Sequence, residues 1–108
     1  MKAIPVPEAT FQAQIIDLAH LQGWLAHHTR PAQNRRGQWG TPIQGDAGFP
    51  DLVLVRAGHL IIRELKREGA KASPEQRVWL EALEGVGHIE TGIWRPSDWP
   101  DIERVLKR

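Results

Sequence analysis

Three segments of the chain are predicted to be helices: Pro7 to about Gly23, where the apolar residues follow helical spacing, Ser73 to Gly85, and a last helix that Ser97 or Asp98 caps and that runs through Leu106. In the first segment, the proline suits an opening turn and the glycine suits the end of a helix. The second segment opens with Ser73-Pro-Glu-Gln76, a capping-box pattern with proline at the first helical position. Helices are therefore predicted near the start, after the middle and at the end of the chain.

Four shorter segments are predicted to be strands: Trp24 to His28, Asp51 to Arg56, Leu60 to Lys66, and His88 to Trp94. The second and third are apolar runs separated only by a tight connection, which favours an antiparallel hairpin. The resulting order is αβββαβ followed by a C-terminal helix. This order predicts an α/β fold with a mixed sheet flanked by helices, in a single domain of residues 1–108.

The predicted hairpin brings two acidic side chains together. A two-residue turn at Ala57-Gly58 sets a register in which Asp51 lies opposite Glu64, with Lys66 on the same face. Facing carboxylates destabilise a sheet, and a divalent cation such as Mg²⁺ would compensate. The structural alternative is that Lys66 simply pairs with Glu64 on a solvated edge, and a one-residue bulge at the turn would break the register.

Two further polar residues have both a structural and a functional interpretation. Gln76 falls on the same helical face as Trp79 and Leu80, so it points inward, where a polar group needs a partner. It is also the second half of the capping box, and one side chain can serve both roles. Glu8 opens the first helix, where the helix dipole favours a carboxylate whatever its function.

Composition narrows the class of protein. The 108 residues carry 14 Lys and Arg against 13 Asp and Glu, and there is no cysteine. Disulfides, zinc ribbons, iron–sulfur clusters and thiol nucleophiles are therefore excluded. The sequence has neither a secretory signal nor the apolar run of about 20 residues that a membrane helix needs, so a cytoplasmic protein is expected. With a net charge of +1, a nucleic acid would have to bind to a local basic patch.

Such a patch is predicted in the middle of the chain. Residues 30–48 are rich in Gly and Pro and form a long loop that carries Arg30, Arg35 and Arg36. Trp39 lies in this loop and could stack on an unpaired base, or could anchor the end of an element.

Four motifs, in this order and spacing, resemble the VRR-NUC domain, the virus-type replication-repair nuclease branch of the PD-(D/E)XK superfamily: Gly48-Phe-Pro-Asp51-Leu-Val-Leu-Val, Glu64-Leu-Lys66, Ser73-Pro-Glu-Gln76 with Trp79-Leu80, and Trp94-Arg-Pro-Ser-Asp98. The resemblance extends from Glu8 to the last helix. It implies a restriction-endonuclease-like core and a metal-dependent phosphodiesterase activity. The 30–48 loop departs from the family pattern because it is longer and richer in Gly and Pro.

The resemblance also implies roles for individual residues. Asp51 and Glu64 would bind Mg²⁺ or Mn²⁺ together with the backbone carbonyl of Leu65. Lys66 would be the catalytic lysine. The first helix and the helix after the hairpin would complete the active site with Glu8, a further candidate ligand, and Gln76.

The expected substrate is branched or junction DNA, as in Holliday junction resolvases, and the expected assembly is a homodimer. Side chains expected to contact DNA are Arg30, Arg35, Arg36, Trp39, Arg67 and Lys71. Two alternatives remain open from the sequence. One is a junction-binding module that keeps the fold without cutting, and the other is a sequence-specific restriction-type endonuclease that reads bases in the major groove.

Overall fold

The computed structural model describes residues 5–29, 32–33, 39–40 and 43–108. The helices are α1 (Glu8–Leu21), α2 (Pro74–Glu84) and α3 (Trp99–Leu106), with a 3-10 turn at Pro96–Asp98. The strands are β1 (Leu25–His28), β2 (Ala32–Gln33), β3 (Trp39–Gly40), β4 (Leu52–Arg56), β5 (His59–Leu65) and β6 (Ile89–Trp94). β1, β4, β5 and β6 form one mixed sheet in that order, and β2 pairs with β3 in a separate two-stranded sheet.

The predicted α/β architecture, a mixed sheet with helices, is confirmed, with one difference in the segment before β4. β2 and β3 lie inside the segment predicted to be a loop, since strands of two residues are too short to show an alternating pattern. The third helix runs from Trp99 to Leu106 with Asp98 as its N-cap residue, one of the two predicted caps, although the Asp98 side chain makes no capping hydrogen bond. Within the described part of the chain, no helix is long and apolar enough to cross a membrane.

The hairpin of β4 and β5 has the predicted register. Arg56 pairs with His59 and Leu52 with Arg63, so the pairing continues toward Asp51 and Glu64 without a bulge. Both turn residues between the strands have positive φ, as a type I′ turn requires. The helix α2 then connects β5 to the parallel strand β6, and this crossover places α2 beside the end of the hairpin.

The two faces of the sheet have different roles. One face packs against α1 and α3 and contributes Leu54, Ile61 and Leu65 to the buried core. Because side chains alternate along a strand, Ile62 and Glu64 point to the opposite face. The side chain of Gln76 reaches Glu64 from α2, so the start of this helix covers the opposite face at the end of the hairpin.

An arginine on β4 ties the ends of two helices to the sheet. Arg56 Nη1 donates to the carbonyl oxygens of Gln22 and Leu106, each at 3.0 Å. Its guanidinium lies 4.4 Å from the ring centre of Trp24, whose Nε1 also donates to the Leu106 oxygen. Carbonyls at helix C-termini lack partners within the helix, and a cation there is favoured by the dipole. The core layer of α1 and α3 is therefore anchored far from the open end of the hairpin.

Candidate metal centre

Asp51 lies directly before β4, and its carboxylate bridges to β5. Asp51 Oδ2 accepts a hydrogen bond of 3.0 Å from the backbone N–H of Leu65. Its own carbonyl oxygen accepts from the N–H of Thr29, which follows β1. The Asp51 backbone and side chain are thus held by the strands on both sides, and its carboxylate is fixed at the Leu65 N–H beside Glu64.

Glu64 is the one charged side chain that is fully buried within the described residues, with 1% of its surface exposed. Its Oε1 accepts a hydrogen bond of 3.2 Å from Gln76 Nε2. Lys66 Nζ lies 3.9 Å from the same oxygen. Oε2 is buried and accepts no hydrogen bond from any described residue. When Glu64 is ionised, this oxygen is therefore unsatisfied, a costly arrangement unless a proton or a cation binds there.

Burial and a neighbouring carboxylate change the acidity of Glu64. Desolvation raises the pKa of Glu64, and the Asp51 side chain raises it further, both as an acceptor for the protonated form and through repulsion of the ionised form. Lys66 lowers this pKa, and Glu8 raises it slightly. The result is a pKa of about 9 in the metal-free protein. Strongly shifted pKa values are frequent at functional sites, where charged groups are buried close to one another.

Lys66 is placed by the parallel pairing of the sheet. It follows β5 directly, and its backbone N–H donates to the carbonyl oxygen of Trp94 at 3.1 Å. About 16% of its side chain is exposed. The ammonium group therefore stays beside Glu64 at the rim of the site, where it can still contact a ligand from solvent.

Gln76 has both of the contacts that its position in the sequence suggested. It completes the capping box, since its Oε1 accepts from the N–H of Ser73 at 2.8 Å, while the Ser73 hydroxyl accepts from the Gln76 N–H. Its Nε2 is then free to donate to Glu64. The same side chain therefore caps the start of α2 and donates a hydrogen bond to the buried Glu64.

Glu8 begins α1 and is half-buried. Its negative charge contributes to the raised pKa of Glu64, so α1 presents it toward the same site. Among the residues that the structure describes, however, no three or more His, Asp or Glu side chains are arranged to hold a metal ion. The acidic side chains that the structure brings together are thus Asp51 and Glu64. Ligand roles for Glu8 and for the Leu65 carbonyl stay predictions.

The residues predicted to bind DNA are only partly described. Arg67 and Lys71 are exposed on the segment between β5 and α2. Arg95 Nη2 donates to Ala70 O at 2.7 Å, which holds this segment near the sheet. Arg30, Arg35 and Arg36 lie outside the described residues, and so does the side chain of Trp39. Their contacts with DNA stay predictions.

Sequence reasoning missed the importance of Gly48. This residue has a φ of +97°, and a Cβ placed on it would lie 2.6 Å from the carbonyl carbon of Glu75 and 2.8 Å from the nitrogen of Gln76. The segment leading to Asp51 therefore packs directly on the backbone of the first turn of α2. The available signal was a glycine three residues before the acidic residue, but its neighbour across the fold could not be read from the sequence.

The donor set fits a hard divalent cation. Mg²⁺ and Mn²⁺ prefer oxygen ligands, and Mg²⁺ usually takes one or two protein carboxylates and fills its other positions with water or substrate phosphate. Two carboxylates lie together at the site, and Glu64 Oε2 is a buried oxygen with no partner in the described chain. A cation there would satisfy this oxygen and offset the repulsion between Asp51 and Glu64.

Comparison with known proteins finds no match to a family model, to a curated protein or to a solved structure.

Proposed function

We propose that this chain is a metal-dependent DNA endonuclease whose fold is a PD-(D/E)XK core of the VRR-NUC type. The observation that carries the proposal is the buried Glu64, which has one unpartnered oxygen and lies beside Asp51 and Lys66 at the end of a hairpin. The αβββαβ order and the register of β4 and β5 support it, because they bring these three side chains together. A stable core alone would not need a carboxyl group in this place.

Each residue of the candidate metal centre would have a separate role in phosphodiester hydrolysis. Asp51, Glu64 and the Leu65 carbonyl would hold Mg²⁺ or Mn²⁺, which supplies an acidified water and stabilises charge on phosphate. Lys66 Nζ, at the exposed rim, would donate to a phosphate oxygen as negative charge develops there. Gln76 would keep Glu64 oriented through the amide hydrogen bond to Oε1.

The surface next to the site suits a nucleic-acid backbone. Arg67 and Lys71 are exposed on the segment that follows Lys66 and add two positive charges there against the one negative charge of Glu68. Phosphate contacts of this kind position a substrate without reading its sequence. Branched DNA as substrate and a two-fold symmetric dimer, with one site for each strand, remain part of the proposal.

A cleavage panel tests the proposal. Purified protein is incubated with labelled duplex, flap, splayed-arm and four-way junction DNA in Mn²⁺ or Mg²⁺, with chelator in parallel. Cleavage is expected to require metal and to disappear in Lys66→Ala. Lys107→Ala is the matched control, since Lys107 is an exposed lysine of the C-terminal end that pairs with Glu103. Persistent cutting by a folded Lys66→Ala protein would contradict the mechanism.

The same panel separates the non-cutting alternative. A junction-binding module would bind branched DNA in a strongly salt-dependent manner and leave every substrate intact in both metals. A restriction-type enzyme would instead cut plain duplex at defined sequences. The proposed enzyme is expected to prefer the branched substrates over plain duplex of the same length.

A further inference from the structure

The start of α2 is linked to the candidate metal centre by a short series of hydrogen bonds. The Ser73 N–H donates to Gln76 Oε1 at 2.8 Å, and Gln76 Nε2 donates to Glu64 Oε1 at 3.2 Å. The Ser73 hydroxyl accepts from the Gln76 N–H at 3.2 Å. We propose that Ser73 is a positioning residue for Glu64, acting through the side-chain amide of Gln76. The inference rests on the proposed function in taking Glu64 as a metal ligand.

The amide of Gln76 can satisfy the ionised, metal-binding form of Glu64 in only one orientation. Its nitrogen is a donor and its oxygen is an acceptor, and a carboxylate oxygen can accept only from the nitrogen. With the amide reversed, two oxygens would face each other at the buried carboxyl group. The backbone N–H of Ser73 excludes that orientation, because it needs the amide oxygen as its own acceptor. The helix cap therefore decides which end of Gln76 meets Glu64.

The side chain of Ser73 keeps its backbone N–H in the required place. Ser73 has the extended backbone of a helix N-cap, with φ −67° and ψ 164°. Its hydroxyl fixes this conformation by accepting from the Gln76 N–H, which otherwise lacks a partner in the first turn. Without the hydroxyl, the cap would fray and the amide of Gln76 would lose its anchor before Glu64 lost its own position in the sheet.

Packing against Gly48 makes this linkage stiff. The backbone of Gly48 lies against the peptide that joins Glu75 to Gln76, with no room for a Cβ. Trp79, one helical turn later, donates from Nε1 to the Asp46 carbonyl oxygen at 3.2 Å and packs edge-on against Phe49. The first turn of α2 thus cannot shift without moving the segment that leads to Asp51. Small changes at the cap are expected to reach the metal site.

A glutamate at position 76 would cap the helix equally well. Capping boxes use Glu or Gln at this position, because only the acceptor oxygen contacts the N-cap N–H. Glutamine differs from glutamate in its amide nitrogen, which can also donate a hydrogen bond. Because this nitrogen donates to Glu64, the buried carboxyl group and not the helix explains why position 76 is a glutamine.

A double-mutant cycle on Ser73 and Gln76 tests the proposal, with Mn²⁺ affinity measured by calorimetry on the whole chain. Gln76→Ala is expected to weaken Mn²⁺ binding about tenfold, the lower end of the usual effect of residues that orient metal ligands. Ser73→Ala is expected to weaken it several-fold, and Ser73→Thr, which keeps the capping hydroxyl, to restore it. In the Gln76→Ala background, Ser73→Ala should lower the melting temperature without any further loss of affinity.

Asp98→Ala is the matched control for lost stability. The Asp98 carboxylate accepts from the Arg95 N–H at the turn before α3 and contacts no residue of the candidate site in the described chain. It should lower the melting temperature and leave Mn²⁺ affinity unchanged. Equal loss of affinity in Asp98→Ala and Ser73→Ala, or additive effects of the Ser73 and Gln76 substitutions, would overturn the positioning role.

A second measurement is independent of metal and of catalysis. In the wild type, the Gln76 side-chain amide protons are expected to have NMR signals shifted from those of an exposed glutamine and protected from exchange. Ser73→Ala should move the signals toward those of an exposed glutamine and remove the protection. Unchanged signals in Ser73→Ala would contradict the proposal. A wild-type protein with protected Gln76 signals that cuts no DNA would refute the proposed nuclease activity while leaving the positioning role intact.

Discussion

Lys66 Nζ lies 3.9 Å from Glu64 Oε1, beyond hydrogen-bonding distance. The lysine therefore offsets the burial of Glu64 only through space, whereas Gln76 donates a hydrogen bond to the same oxygen. Desolvation and the Asp51 side chain outweigh the lysine, and they keep the pKa of Glu64 near 9. In the metal-free site, Glu64 is thus protonated at neutral pH, and a cation that binds there would displace this proton.

The stability of the metal-free protein is expected to fall as the pH rises. The pKa of Glu64 is raised in the folded chain from 4.5 to about 9, so between these values the folded state binds more protons than the unfolded state. The contribution of Glu64 to the free energy of unfolding is complete below pH 4.5, its pKa in the unfolded chain, and is lost as the pH rises toward 9. Thermal unfolding from pH 5 to 9 in chelator should show this decline.

Glu64→Gln should remove most of that pH dependence and raise stability above pH 9, where wild-type Glu64 is ionised. The new amide can accept from Gln76 with its oxygen and donate toward Asp51 with its nitrogen at any pH, as protonated Glu64 does only at lower pH. A gain of about 1–3 kcal/mol is expected above pH 9, the usual cost of an unsatisfied buried polar group. Glu81→Gln, at an exposed position of α2, controls for the change in net charge. An unchanged slope in Glu64→Gln would show that another group titrates.

Metal binding at pH 7 should release about one proton. A carboxyl group must be ionised to bind a cation, and Glu64 with a pKa of about 9 is protonated beforehand. Calorimetry with Mn²⁺ in two buffers of different ionisation enthalpy measures this proton directly. Below pH 9, the apparent affinity for Mn²⁺ should increase about tenfold with each unit that the pH rises, as expected for competition between one proton and the cation. Binding without proton release would place the metal away from Glu64.

Part of this site follows from local sequence rules. The register that faces Asp51 with the residues around Glu64 depends on a two-residue turn and on the period of two along a strand, and both are local properties. The capping box at Ser73 is local as well. These rules predict which acidic side chains meet and where the following helix starts.

The remainder depends on contacts between distant parts of the chain. That Gln76 would contact both Ser73 and Glu64 could not be decided from the sequence, because either contact alone explains an inward-facing glutamine. The lone oxygen of Glu64 is likewise a consequence of packing, since an identical Glu-Leu-Lys triplet at an exposed edge would be hydrated. β2 and β3 were missed because two-residue strands have no periodicity to detect.

The stability of the C-terminal ends of α1 and α3, which are distant from the candidate metal centre, should depend on Arg56. Arg56→Met keeps the apolar stem and removes the donors to Gln22 and Leu106, so a loss of about 2–3 kcal/mol is expected from the charged hydrogen bonds. Amide exchange should increase at the C-termini of α1 and α3 first. Arg104→Met is the control, because Arg104 pairs with Asp101 on the exposed side of α3, where an ion pair contributes little. Equal losses in both variants would deny Arg56 this role.

Gly48 and Gly45 allow backbone strain to be separated from close packing. Both have φ near +95°, but a Cβ at position 45 meets nothing within 4 Å, whereas one at position 48 lies 2.6 Å from Glu75 backbone. Alanine at either position should cost about 1–2 kcal/mol for the left-handed conformation. Gly48→Ala should cost more, and it alone should weaken Mn²⁺ binding, because relief of the clash moves α2 and Gln76 away from Glu64. Chemical denaturation and calorimetry measure the two effects, and equal values for both variants would mean that the close approach at Gly48 has no part in shaping the site.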